Sequence, residues 1–104
     1  MTKLEGLSVA SVIVEIVNKK GLHARAAAKF VKTVTAYNAQ VLVAKLGQNG
    51  EEDSPAVQGG SILGLMMFGA DTGSKLHITA EGDQAQEVLS ALKYLVENRF
   101  GENE

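Results

Sequence analysis

The sequence predicts an α+β fold with the element order βαββαβα, an antiparallel four-stranded sheet covered on one face by three helices. Apolar and polar residues alternate in short segments such as Val12–Val17 and Leu76–Ala80, the pattern of strands with one buried face. Apolar residues recur at helical spacing after Ala24 and after Asp83. Because 104 residues support one hydrophobic core, we expect a single domain over residues 1–104.

The first three elements follow from the spacing of apolar residues. The apolar face of the first strand consists of Val12, Val14 and Ile16. Asn18–Gly21 then interrupts the pattern as a loop. A helix begins at Ala24 and ends near Tyr37, and its apolar stripe comprises Ala27, Phe30, Val31 and Val34. Val41–Ala44 is predicted as the second strand.

The middle of the chain has turn composition followed by a short apolar run. Gly47–Pro55 predicts an exposed, mobile connection that carries the single proline. A short strand is expected at Ala56–Gln58. Ser61 is predicted to be the N-cap of a helix over Ile62–Phe68, which Gly69 ends.

The last strand and the last helix complete the predicted order. In the strand Leu76–Ala80, the alternation turns His77 toward solvent. Asp83 is expected to cap the final helix, whose apolar stripe comprises Val88, Leu89, Leu92, Leu95 and Val96. Glu97–Glu104 is predicted to be a frayed tail.

Composition and charge argue against several classes of function. The formal net charge of -2 provides no general attraction to nucleic acid or to an anionic membrane surface. The absence of cysteine excludes disulfides, thiolate metal ligands and a thiol nucleophile. His23 and His77 are far apart and lack clustered acidic partners, so we expect no metal site. Met1–Ala10 has no long apolar run, which predicts a cytoplasmic protein without a signal peptide or membrane span.

The segment Gly21–Ala28 places a histidine between a glycine-containing loop and the start of an amphipathic helix. The first amides of a helix lack internal partners and lie at the positive end of the helix dipole. A phosphoryl group on His23 would therefore meet the amides of Ala24 and Arg25, and the Arg25 guanidinium reaches the same oxygens. A neutral imidazole is a competent nucleophile near physiological pH. The combination predicts a transferable phosphoryl group on His23.

Gly21–Ala28 resembles the active-site motif of the histidine-containing phosphocarrier protein (HPr) family of the bacterial phosphoenolpyruvate-dependent phosphotransferase system. Ser61–Gly69 resembles the regulatory-serine segment of that family. The resemblance covers about residues 12–100 and implies an open-faced sandwich. The connection at Gly47–Pro55 is longer than is usual in the family. The Arg99–Glu102 ending is similar to the proteobacterial and nitrogen-related branch, so both sugar transport and nitrogen regulation stay open as pathways.

The resemblance implies a phosphoryl relay rather than an independent enzyme. Enzyme I, charged by phosphoenolpyruvate, would phosphorylate His23 on Nδ1, and the group would pass to a IIA-type protein while Arg25 steadies it. The relay requires no metal or cofactor on this chain, and we expect a monomer. The resemblance further implies that a serine kinase/phosphorylase modifies Ser61.

The short helix after Ser61 is too apolar for a small core to bury completely. We expect Ile62, Leu63 and Met66 to remain partly exposed as a partner-docking patch, because methionine adapts to more than one partner. Leu65 and Phe68 are expected to fill the core.

Two other classes of function compete with the relay. An HPr-like non-catalytic regulatory module would act mainly through Ser61, and the presence of His23 argues against it. A ligand-binding or nucleic-acid-binding α+β domain with the same order of elements is the second alternative. The negative net charge and the lack of a basic aromatic surface disfavour nucleic acid.

Overall fold

The structure is a computed structural model that describes residues 9–104. Its strands and helices are, in chain order, β1 (Val9–Glu15), α1 (Ala24–Thr35), β2 (Gln40–Lys45), β3 (Val57–Gln58), α2 (Ile62–Met66), β4 (Lys75–Glu81) and α3 (Ala85–Glu97). A 3-10 turn over Arg99–Gly101 follows α3. The order βαββαβα is the one that the sequence predicts.

The four strands form one antiparallel sheet in the spatial order β1-β4-β2-β3. Its register places His77 between Ile13 of β1 and Ala44 of β2. Because side chains alternate along a strand, Leu76 and Ile78 face the helices while His77 lies on the opposite face. The predicted open-faced arrangement is therefore confirmed.

The core lies between the inner face of the sheet and the three helices. The amphipathic helices α1 and α3 supply most of its helical side. From α1 it includes Ala26, Ala27, Phe30 and Val34. From α3 it includes Ala85, Val88, Leu89, Leu92 and Val96. The predicted apolar stripes thus face the sheet, although Val31 and Leu95 lie at the margin and are only partly buried.

The connection between β2 and β3 is exposed, as predicted, but it folds back as a small hairpin. Leu46 and Glu52 form an isolated antiparallel bridge, and the Gly47 amide donates to the Glu51 carbonyl at 2.7 Å. The carboxylate of Glu52 lies 3.0 Å from Nδ1 of His77. His77 therefore lies on the open face as predicted, and there it contacts this hairpin.

The predicted cap of the last helix is wrong. Asp83 lies before the helix, and Gln84 occupies the N-cap position without a side-chain cap bond. The Gln84 side chain instead accepts a hydrogen bond from the Asn38 amide at 2.7 Å, and the Asp83 carboxylate accepts one from the Asn38 side chain. Both side chains thus bond to Asn38 in the loop that follows α1, which is distant in sequence.

The prediction of a frayed tail over Glu97–Glu104 is also wrong. The helix α3 continues to Glu97, and the chain then turns back with Phe100 fully buried in the core. The backbone amide of Lys19 donates to the carbonyl of Glu104 at 2.9 Å. Burial of an aromatic side chain stabilises the turn enough to hold the last residues against the loop that precedes α1.

Several boundaries differ by a few residues from the prediction. β1 begins at Val9, and α2 ends at Met66 because Met67 is its C-cap. The sequence prediction for Met1–Ala10 falls mostly on residues 1–8, which lie outside the described part. Within residues 9–104, no helix combines the length and the apolar character that a bilayer crossing requires.

Candidate functional site

The loop before α1 is held by a close contact between Gly21 and Ala70. Gly21 has a φ of +70°, and a Cβ at this position would lie 2.5 Å from the carbonyl oxygen of Ala70. The neighbouring Leu22 is buried, and its amide donates to the same oxygen at 2.9 Å. A glycine followed by an apolar residue therefore fixes the position at which the next residue, His23, enters the helix.

His23 is the N-cap residue of α1. Its extended backbone (φ -81°, ψ -178°) precedes the helix, and its carbonyl accepts the first helical bond from the Ala27 amide at 2.8 Å. The ring caps the helix, because Nδ1 accepts a hydrogen bond from the Arg25 amide at 3.2 Å. The structure thus places His23 at the opening turn of the helix, beside the amides of Ala24 and Arg25, as the sequence predicts.

The other ring nitrogen of His23 contacts a carboxylate from the far end of the chain. Nε2 lies 2.5 Å from an Oε atom of Glu102. The second Glu102 oxygen accepts a hydrogen bond at 2.9 Å from Nδ2 of Asn18, a fully buried side chain. Asn18 Nδ2 also donates to the Gly21 carbonyl at 2.9 Å. One polar network therefore joins the loop, the ring and the C-terminal segment.

The Glu102 carboxyl is held in its charged form. Burial by itself would raise the pKa of Glu102, but hydrogen bonds from Asn18 and His23 and the charges of His23 and Lys20 lower it more. The net result is a pKa below the ordinary value of 4.5. Near neutral pH, Nε2 of His23 therefore faces an anion.

The two contacts of the ring specify its neutral tautomer. A backbone N–H donates to Nδ1, so Nδ1 carries a lone pair, while the carboxylate at Nε2 accepts, so Nε2 carries the proton. The Nδ1 lone pair of His23 therefore points toward the positive end of the α1 dipole.

The open cleft beside His23 has more cationic than anionic side chains. Its cations are Lys19, Lys20, Arg25 and Lys29, and its carboxylates are Glu102 and Glu104. Arg25 is exposed, and its guanidinium forms no ion pair with any residue of 9–104. This arrangement suits a multiply charged anion on Nδ1 and an acidic surface on a partner.

Ser61 caps α2, as predicted. Its hydroxyl oxygen accepts a hydrogen bond from the Gly64 amide at 3.0 Å. The next helical turn exposes Ile62, Leu63 and Met66, which agrees with the exposure expected for the patch. Met67 is also exposed and extends the patch beyond the predicted residues.

The two core predictions for α2 have different outcomes. Leu65 is fully buried, as expected. Phe68 is only partly buried and packs at the margin of the core. The short helix thus buries one apolar side chain and presents most of the others to solvent.

Sequence reasoning missed Asn18 and Glu102. Asn18 lies in a segment with the composition of a turn, and Glu102 lies in a segment without a periodic apolar pattern. The available signal was Phe100 followed by Gly101, since an aromatic residue beside a glycine after a helix indicates a turn that returns to the core. Among residues 9–104, no group of three or more His, Asp or Glu side chains is placed to hold a metal ion.

Comparison with known proteins decides the family. The family model described as "PTS HPr component phosphorylation site" matches residues 10–98. The chain belongs to the HPr family. It is 47% identical over 91 residues to the phosphocarrier protein HPr of Pseudomonas aeruginosa, covering 88% of this chain and 94% of that one. The HPr of Cupriavidus necator is 42% identical over 89 residues, with 86% and 92% covered.

A solved HPr structure has the same fold. HPr-C-His from Thermoanaerobacter tengcongensis superposes with a TM-score of 0.79 at 40% identity, over 91% of this chain and 99% of that one. The family expected from the Gly21–Ala28 and Ser61–Gly69 segments is therefore confirmed, and the protein is an HPr-type phosphocarrier of the phosphotransferase system.

Proposed function

We propose that His23 carries the phosphoryl group on Nδ1, receives it from enzyme I charged by phosphoenolpyruvate, and passes it to a IIA-type protein. One observation supports this assignment above the others. The Nδ1 lone pair of His23 points at the opening turn of α1, where the Arg25 amide lies 3.2 Å away. A helix N-terminus favours the negative charge of a phosphoryl group.

Groups at the opening turn of α1 would bind the phosphoryl group on the ring. When Nδ1 forms the N–P bond, it no longer accepts the Arg25 amide, and that N–H is freed for a phosphoryl oxygen. The Ala24 amide precedes it in the same turn, and the guanidinium of Arg25, which forms no ion pair within residues 9–104, supplies a charge-assisted hydrogen bond. We assign Ala24 and Arg25 as the backbone donors and Arg25 as the side chain that steadies the group.

The exposed apolar side chains of α2 are the proposed docking patch. The patch comprises Ile62, Leu63, Met66 and Met67, and apolar side chains clustered in this way are typical of partner contacts. The cationic cleft beside His23 complements an acidic partner surface. Together they would orient enzyme I and the IIA-type protein over the ring.

Phosphorylation by purified enzyme I tests the proposal. The wild type, His23→Ala and His77→Ala are each incubated with phosphoenolpyruvate and enzyme I, and bound phosphate is measured before and after acid treatment. We expect acid-labile phosphate on the wild type and on His77→Ala and none on His23→Ala. Label that survives in His23→Ala rules out His23 as the acceptor.

We propose Ser61 as a second, regulatory phosphorylation site for a serine kinase/phosphorylase. Its hydroxyl lies at the edge of the exposed patch, so a phosphate there would place negative charge beside the apolar docking residues. Ser61→Asp preserves an N-cap acceptor and adds charge, whereas Ser61→Asn preserves the cap without charge. We expect slower acceptance from enzyme I in Ser61→Asp than in Ser61→Asn. Equal rates in the two variants contradict regulation at this position.

A further inference from the structure

We infer that Glu102 is a positioning residue for phosphoryl transfer at His23, because its carboxylate fixes the Nε2–H tautomer and stabilises the charge that the ring gains. The inference rests on the proposed function of His23. It begins from the 2.5 Å contact between Nε2 of His23 and the Glu102 carboxylate, two residues separated by 79 positions in sequence.

The C-terminal segment is built to bring this carboxylate to the ring. Arg99 and Phe100 both have positive φ, 60° and 53°, a left-handed conformation that side chains disfavour. The conformation persists because Phe100 is buried and because Lys29 Nζ donates to its carbonyl at 2.6 Å. Two strained residues, separated from Glu102 only by Gly101, indicate a segment held in place by the contacts that surround it.

A buried amide aims the carboxylate. Asn18 is fully buried, and its Nδ2 donates to one oxygen of Glu102 and to the Gly21 carbonyl, both at 2.9 Å. The other Glu102 oxygen is thereby directed at Nε2 of His23. The orientation of the carboxylate is thus coupled to the loop that carries the histidine.

The contact between Glu102 and Nε2 of His23 has a role in each step of phosphoryl transfer. In the acceptance step, the Nδ1 lone pair forms the N–P bond, the bond between phosphorus and the donor group breaks, and its electron pair goes to the donor. The Nε2 proton stays on the ring, which becomes a phosphoimidazolium, and the Glu102 carboxylate neutralises its positive charge. In the donation step, the N–P electron pair returns to Nδ1 and the starting tautomer is recovered.

The geometric part of the inference is tested without phosphorylation. Nitrogen-15 and proton NMR of the His23 ring at about pH 8 reports which ring nitrogen holds the proton. We expect a proton on Nε2 with a downfield, exchange-protected signal in the wild type and in Glu104→Gln. In Glu102→Gln that signal loses its protection, because the charged acceptor is gone.

The kinetic part uses the same three proteins. Glu104→Gln is the matched control, since it removes a carboxylate from the same tail that pairs with Lys19 and not with His23. We expect Glu102→Gln to accept phosphate from enzyme I about twofold to fivefold more slowly, the size expected when a single ion pair in partial contact with water is removed. Glu104→Gln should react at the wild-type rate.

The outcomes separate this inference from the proposed function. Two results would overturn the role of Glu102 while His23 remains the acceptor. The first is an Nε2 proton that is not protected from exchange in the wild type. The second is an equal rate of phosphate acceptance for Glu102→Gln and the wild type. A wild-type protein that takes no phosphate from enzyme I overturns the proposed function, and the inference with it.

Discussion

Gly21 lies so close to Ala70 that a Cβ on Gly21 would approach the Ala70 carbonyl oxygen to 2.5 Å. The same oxygen accepts a hydrogen bond from the Leu22 amide, which anchors the loop to Ala70. The entry of His23 into α1 depends on that anchor, because Leu22 directly precedes the N-cap.

Replacement of Gly21 by alanine should disturb both stability and the site. The added methyl group meets a backbone oxygen and must adopt a φ of +70°, so we expect a loss of about 2 to 3 kcal/mol in the free energy of unfolding. Gly50→Ala is the matched control, since Gly50 also has positive φ but nothing within 4 Å. Its expected loss is about 1 kcal/mol. Urea denaturation measures both, and equal losses would exclude the Ala70 contact as the cause.

The parts of the fold that local pattern determines were predictable from the sequence. The alternation around Val14 and the helical stripe through Phe30 identify which face of each element is buried. The apolar faces of the helices then pack on the apolar face of the sheet. The position of His23 follows from the same local information. The glycine loop ends and the helix begins at this residue.

The contacts that the sequence did not predict all join distant segments. Neither Asp83 nor Gln84 caps α3 with its side chain, because both side chains turn to Asn38 in the loop that follows α1. The C-terminal turn requires positive φ at Arg99 and Phe100, which no glycine signals at those positions. The sequence therefore predicts a tail at Glu102 and gives no sign of the carboxylate that contacts Nε2 of His23.

Burial of Phe100 should hold the C-terminal turn. Phe100→Ala leaves a cavity in the core, and we expect a loss of about 3 to 5 kcal/mol in the free energy of unfolding. Tyr94→Ala is the control, because Tyr94 is 72% exposed on α3 and its removal should change stability by less than about 0.5 kcal/mol. Urea denaturation measures both values. A small loss for Phe100→Ala would contradict the role of this residue as the anchor of the turn.

Charge on the patch of α2 should slow transfer without unfolding the protein. Leu63 is 71% exposed, so Leu63→Asp adds charge at the proposed docking surface with little effect on stability. We expect the rate of acceptance from enzyme I to fall about tenfold, the effect of losing one well-packed apolar contact. Tyr94→Asp places the same charge at an equally exposed apolar residue on α3 and should leave the rate unchanged. Equal effects in the two variants would argue against docking through α2.

The contribution of Glu102 to stability should depend on pH in a defined direction. Burial alone would raise its pKa, but the hydrogen bonds from Asn18 and His23 and the nearby positive charges bring the pKa below 4.5 in the folded protein. A carboxyl whose pKa is lowered by folding binds protons more readily in the unfolded state. Its contribution is therefore fully present above about pH 4.5 and is lost as the pH falls through the lowered pKa.

The measurement compares the free energy of unfolding of the wild type and Glu102→Gln across acidic pH. We expect the wild type to be the more stable protein at pH values above 4.5 and the difference to shrink steadily below that value. Glu104→Gln serves as the control, because Glu104 contacts Lys19 and neither Asn18 nor His23. The difference in the free energy of unfolding between the wild type and Glu102→Gln could instead stay constant or grow as the pH falls. That result would mean that the network around Asn18 does not favour the charged carboxylate.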